Sequence, residues 1–198
     1  MIAETAVIHP NVVLGDNVTI EDFCIIGIPF SSATEGQTTV IGDNAVLRSG
    51  TYIYAGCKIG RNFQTGNKAN IRELNNIGDD VSIGTMSVIE HHVEICDNVR
   101  IHSQAFIPEY SRLEKNAWIG PNVVLTNARY PRSKTAKDDL MGPVIEENSK
   151  IGANSTILPG VTIGRNSLVG AGSVVVKNVP AGVIVVGNPA AITRKIDY

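Results

Sequence analysis

From Ile41 onward the chain places an aliphatic residue at every sixth position. Between Ile41 and Leu125, fourteen of the fifteen residues in this register are Ile or Leu; Thr65 is the exception. Four places after each comes a second recurring position, occupied by small or β-branched residues such as Ala45, Thr51, Cys57, Ala69, Val81 and Ser87. That position and the next aliphatic one are two residues apart, and in an extended chain such residues face the same side. Each hexad therefore predicts one short strand with an inward pair, small then aliphatic. The three residues between strands form a corner. Corner triplets read Gly-Asp-Asn at 15–17 and 42–44, Gly-Arg-Asn at 60–62 and 164–166, and Gly-Pro-Asn at 120–122. Gly and Asn accept the left-handed backbone that a sharp corner requires.

The register also holds at Ile8, Leu14, Ile20 and Ile26, and again from Ile145 to Val175. A six-residue period is the mark of a parallel β-helix. The expected architecture is all-β, about eight coils of three hexads running over residues 6–186 of a single domain, 1–198. Two stretches break the register, 28–40 and 126–144, and read as loops inserted at corners. Unstructured insertions of this length in a compact repeat are usually functional. The tail leaves the register after Val186, and residues 187–198 are expected to cap the last coil with a short helix starting at Pro189.

Composition narrows the picture. Aromatic residues are only 5%, so the core must be built from aliphatic and small side chains. Lys plus Arg total 17 against 19 Asp plus Glu, a net charge of −2, which gives no footprint for binding a nucleic-acid backbone. No apolar run approaches the roughly 20 residues of a membrane-spanning helix. Met1–Pro10 lacks the cationic start and apolar core of a signal peptide. Three widely spaced cysteines, Cys24, Cys57 and Cys96, fit a reduced, cytoplasmic setting.

The repeat resembles that of the hexapeptide-repeat acyltransferases over most of the chain. The resemblance implies a left-handed coil, a homotrimer with sites between adjacent prisms, and acetyl-CoA as co-substrate with no metal. Ser87-Val-Ile-Glu-His-His92 is similar to the S-V-I-E-H run of bacterial amino-sugar and sialic-acid acetyltransferases of this fold. It implies His91 as general base and Glu90 as the acid that orients it. Here His92 stands where relatives often carry an acid. An 18-residue step from His91 lands on Glu109, one coil along the same corner, whose backbone N–H is expected to face the thioester carbonyl. Ile119-Gly-Pro-Asn-Val-Val-Leu-Thr-Asn127, continuing to Pro131-Arg132, resembles the N-acetyltransferases that act on nucleotide-linked 3-amino sugars. It places Asn127 near the CoA arm. Gly170-Ala171-Gly-Ser-Val-Val-Val-Lys177 resembles the family's C-terminal CoA-contacting run. Small Ala153 lies 18 residues before Ala171, and Lys177 and Arg194 are candidates for the CoA phosphates.

One further stretch, Gln64–Glu73, is too polar for its register, with Thr65 and Asn75 at inward positions. Local rules tend to fail at functional sites. Asn67, Arg72 and Glu73 fall at corners and are expected to point outward, to a sugar or a phosphate. The expected function is N-acetylation of a nucleotide-linked amino sugar. Sugar O-acetylation of the sialic-acid type is the alternative, and a non-catalytic scaffold a more distant one. A zinc enzyme is disfavoured, because beyond the His91–His92 pair only His9 and His102 remain.

Overall fold

The computed structural model describes residues 1–30 and 36–197. Part of the 28–40 insertion therefore lies outside the described residues. The chain winds as a left-handed parallel β-helix with three flat faces. Face one stacks nine strands from Val7–Ile8 to Val174–Val175, and face two stacks eight from Val12–Leu14 to Thr162–Ile163. Face three stacks eight parallel strands from Thr19–Ile20 to Leu168–Val169, then two more at its C-terminal end. Most strands are two residues long. Their neighbours lie 18 residues on, as Ile71 pairs with Ile89 and Ile89 with Ile107. The core is the stack of aliphatic residues that the period predicts: Ile53, Ile71, Ile89 and Ile107 line face one from inside and are fully buried.

The faces meet at three edges. Residues 72–74 and 90–92 lie on the first edge, between faces one and two. Residues 60–62 and 78–80 lie on the second, between faces two and three. Residues 66–68 and 84–86 lie on the third, between faces three and one. Among the described residues, eighteen other than glycine hold a positive φ, nine of them Asn. The second edge shows why. Asn17, Asn44, Asn62, Asn98, Asn116, Asn148 and Asn166 hold its left-handed position, with Asp80 in the coil between Asn62 and Asn98, and several of these side chains bond each other along the axis. Asn44 donates to Asn62 at 3.2 Å, Asn116 to Asn148 at 2.9 Å and Asn148 to Asn166 at 3.1 Å.

Both breaks in the register sit on the first edge. Leu14 pairs with Ile41 and Leu113 with Ile145, so the sheet registers resume after each excursion. The 126–144 insertion folds back on its own edge. Met141 N–H donates to Asn127 O at 2.9 Å, and Gly160 N–H to Met141 O at 2.8 Å. Gly160 has φ +71°, and a Cβ there would meet the Met141 sulfur at 2.5 Å, so a larger residue would be strained and would push the Met141 side chain aside.

The C-terminal cap is a correction. No helix forms among the described residues. Val183–Gly187 extends face three, and Ala190–Lys195 pairs with it antiparallel. Gly187-Asn188-Pro189 makes the turn, with φ +104° at Gly187. An X-Pro pair disfavours the helical region for its first residue, and the following Ala-Ala-Ile-Thr offers Ile192 and Thr193 to a strand.

The inward polar residues at 65 and 75 are satisfied internally. Thr65 Oγ1 lies 2.8 Å from Thr51 Oγ1 and accepts from Arg48 N–H at 3.0 Å. Asn75 is fully buried: its Nδ2 donates to Arg72 O at 2.9 Å, and its Oδ1 accepts from Val93 N–H at 2.7 Å.

Candidate active site on the first edge

The corner residues of successive coils along the first edge are Arg72-Glu73-Leu74, Glu90-His91-His92 and Pro108-Glu109-Tyr110, followed by Asn127 at the root of the second insertion. One coil separates each, a step of ~4.8 Å. Leu74, His92 and Tyr110 occupy the left-handed position, with φ between 56° and 63°, where the second edge uses Asn.

His91 is the centre of this row. Its Nδ1 lies 2.8 Å from His92 Nδ1, so one of the two nitrogens carries the shared proton. Its Nε2 lies 3.6 Å from Glu109 Oε1, an ion-pair distance slightly too long for a hydrogen bond. Asn127 Nδ2 donates to the other Glu109 oxygen at 2.6 Å. Tyr110 closes the side, its ring centroid 5.7 Å from that of His92 and 6.0 Å from that of His91. The Glu109 N–H has no hydrogen-bond partner among the described residues.

Glu90, expected as the orienting acid, turns toward Arg72 instead, with Nη1 to Oε2 at 3.4 Å. Burial pushes its carboxyl above the usual range; the Arg72 charge opposes this and the nearby Glu109 charge adds to it. The acid beside the His91 Nε2 is Glu109. The 18-residue spacing located Glu109, but its side-chain partnership with Asn127 depends on the insertion turning back, which spacing does not encode.

Arg72 and Glu73 form a sealed pair. Arg72 Nε donates to Glu73 Oε2 at 2.9 Å and Nη2 to Oε1 at 3.2 Å. The guanidinium lies 4.2 Å below the Phe30 ring and 5.1 Å from the Tyr54 ring. Glu73 is only 4% exposed, which corrects its expected outward placement. Arg72 folds over its neighbour and is itself held against the two rings, and the pairing offsets the cost of burying the Glu73 carboxylate. Asn67, grouped with these two by sequence, lies on the third edge, across face one.

The expected CoA-contacting residues are divided. Asn127 and Lys177 lie on the first edge. Ala153, Gly170 and Ala171 lie on the third, where Gly152 packs so closely that a Cβ would meet Ala171 N at 2.5 Å. Arg194 lies on the C-terminal hairpin and pairs with Asp197 at 2.8 Å. A single chain does not bring these residues into one groove.

Comparison with known proteins agrees with the architecture. The bacterial transferase hexapeptide model (six repeats) matches residues 76–109 and 142–177, and the hexapeptide repeat of succinyl-transferase matches 17–55. Together they cover more than half the chain. The bifunctional protein GlmU of Clostridioides difficile is 27% identical over 195 residues, spanning 98% of this chain and 39% of its own length. A 2,3,4,5-tetrahydropyridine-2,6-dicarboxylate N-acetyltransferase of Clostridium perfringens is 40% identical over 79 residues, 40% of this chain and 31% of the relative. The chain thus spans well under half the length of these curated relatives. Among solved structures, the Francisella novicida UDP-N-acetylglucosamine acyltransferase superposes with a TM-score of 0.67 at 19% identity. That match covers 98% of this chain and 70% of the other, and shows the shared fold. With its six-residue register, its three-faced left-handed coil and these matches, the chain belongs to the hexapeptide-repeat acyltransferase family.

Proposed function

We propose that the protein is an acetyl-CoA-dependent N-acetyltransferase acting on a nucleotide-linked amino sugar, working as a homotrimer. The observation that carries this reading is His91, set between Glu109 and His92 on the edge from which both insertions leave. With His91 Nδ1–H donating to His92, its Nε2 is free to accept a proton. The sugar amine attacks the thioester carbonyl and forms the new C–N bond. Nε2 takes the proton the amine loses, and the Glu109 carboxylate stabilises the resulting imidazolium. The C–S bond then breaks, and the CoA sulfur leaves with that proton. The unpartnered Glu109 N–H is the candidate donor to the oxyanion.

The surroundings of His91 favour an amine over a hydroxyl acceptor. Glu90 and Glu109 flank it, and the nearest cation, Arg72, is held on Glu73 and Glu90. An ammonium group is drawn there by charge and loses one proton to solvent to become the attacking amine, whereas a neutral hydroxyl gains only a hydrogen bond. In the trimer, Ala153, Gly170 and Ala171 on the third edge of one copy would supply the pantetheine wall for the first edge of its neighbour. Lys177 on the first edge and Arg194 on the hairpin would meet the CoA phosphates.

The test is thiol release from acetyl-CoA with a panel of UDP- and dTDP-linked amino sugars. Release with one of these acceptors, and none without it, is expected. Silence across the panel, or release with hydroxyl sugars only, overturns the N-acetyl reading.

A further inference from the structure

Asn67 opens onto a hollow on the third edge that the chemistry above leaves unused. It holds about 430 Å³ and is lined by Phe23, Gly50, Tyr52, Asn67, Lys68 and Asn70. The left-handed corner position of this edge is Gly or Asn at Gly50, Asn122, Asn154 and Gly172, and a larger side chain at Phe23, Lys68, Met86 and Gln104. Of these last four, Phe23 (φ 61°) and Lys68 (φ 58°) line the hollow, on either side of Gly50 in coil order. A bulky residue in this conformation costs about 1–2 kcal/mol, and such strain gathers at ligand clamps. Phe23 is 66% exposed and Tyr52 40%, two rings in the lining presented to solvent. A side chain at Gly50 would press on Lys68, whose Cγ lies 3.2 Å from the position of a Cβ. Lys68 has no ion-pair partner among the described residues. The Asn70 Oδ1 is buried with no hydrogen-bond partner, and a buried acceptor left unpaired calls for a donor.

Rings to stack on, an acceptor awaiting an N–H, and a free cation define a ligand that is flat, carries an imide-type N–H and is anionic. We propose that this hollow holds the nucleotide of the acceptor, a pyrimidine nucleoside diphosphate. Its base lies against Phe23 and Tyr52, its ring N–H donates to Asn70 Oδ1, and its phosphates reach Lys68. The assignment rests on the nucleotide-linked acceptor proposed above. The hollow and the first edge border the same face. Tyr52 lines the hollow, and Tyr54, two residues on along the same strand, faces Arg72. His91 is one coil beyond Glu73.

Calorimetric titration of the full chain with UDP, dTDP and CDP tests this. UDP or dTDP should bind, and CDP, which lacks the ring N–H, at least 10-fold more weakly. Lys68→Gln and Phe23→Gly should each weaken binding 10-fold or more. The glycine relieves the strained φ, so a folded protein is expected, and an unchanged unfolding midpoint for both variants confirms it. His91→Ala should bind UDP as the unaltered protein does. No binding, equal affinity for CDP, or binding indifferent to both variants overturns the proposal. A protein that acetylates a nucleotide-linked sugar yet binds no free nucleotide refutes the hollow alone. One that binds UDP there but releases no thiol refutes the transfer reading alone.

Discussion

The first and second edges occupy equivalent places in the same coil and have opposite characters. On the second edge, Asn answers the backbone's demand for positive φ in every coil from Asn17 to Asn166 except the one with Asp80, and neighbouring side chains bond each other along the axis. On the first edge that position is Leu74, His92 and Tyr110, and the flanking corners carry Arg72, Glu73, Glu90, His91 and Glu109, none repeating the one before. Where a repeat protein keeps its repeat, the residues serve the coil. Where it abandons the repeat without losing the core, as beneath His91 where Ile89 stays fully buried, the residues serve something outside the coil.

The sharpest break in this comparison is between buried and exposed charge. Arg72→Met would strand the buried Glu73 carboxylate and should cost about 3 kcal/mol in chemical denaturation. Arg61→Met on the second edge removes a partner from an exposed pair, Arg61 with Asp79 at 2.8 Å, and should leave the denaturation midpoint unmoved. A comparable loss at Arg61 would erase the distinction drawn between the edges.

Next in size is Glu109→Gln. It keeps the shape and the Asn127 contact but removes the charge beside Nε2, so kcat should fall about 10- to 100-fold with little change in stability. An unchanged kcat would reduce Glu109 to a structural brace for the insertion.

On the second edge, Asn148→Ala should destabilise by about 1–2 kcal/mol, because alanine tolerates the left-handed φ poorly and two amide bonds are lost. Asn148→Gly should cost less, and neither should alter acetyl transfer. Equal costs for the two would show that backbone conformation is not what selects Asn at this corner.

The smallest effect concerns His102, packed at a tilt against Trp118 with ring centroids 4.7 Å apart and its Nε2 buried without a partner among the described residues. Burial, and secondarily the Arg100 charge, lowers its pKa. A base depressed in the folded state binds its proton more readily when unfolded. Stability is therefore retained above the ordinary histidine pKa of about 6.5 and falls as pH drops below it. Replacing it as His102→Gln should flatten the decline between pH 7 and 5 in thermal melts. An unchanged slope would assign the acid sensitivity to other groups.

The coil was legible in the sequence because its physics is local and repeated: every strand needs the same inward pair, so Ile41 through Leu125 announce it by period alone. The row of residues at the first edge was legible for the same reason, since an 18-residue step is one coil. What spacing could not supply was side-chain direction. Glu73 was expected outward and lies under Arg72, because the Phe30 and Tyr54 rings that hold the Arg72 guanidinium come from other coils. Glu109 partners His91 through Asn127, whose position depends on a loop outside the period. Asn67 looked like a neighbour of Arg72 in the linear chain, yet a strand's width of face one separates them. The tail was misjudged because Pro189 reads equally as a helix start and as the turn of a hairpin.

The claim that the first edge is the reacting edge is tested most directly by the turnover of His91→Ala, read as thiol release with the acceptor that the panel identifies. The account predicts kcat lowered about 10²- to 10⁴-fold, with unfolding and UDP binding as in the unaltered protein. A kcat within a factor of two or so of normal would contradict it and move the base, and the reacting site with it, away from His91.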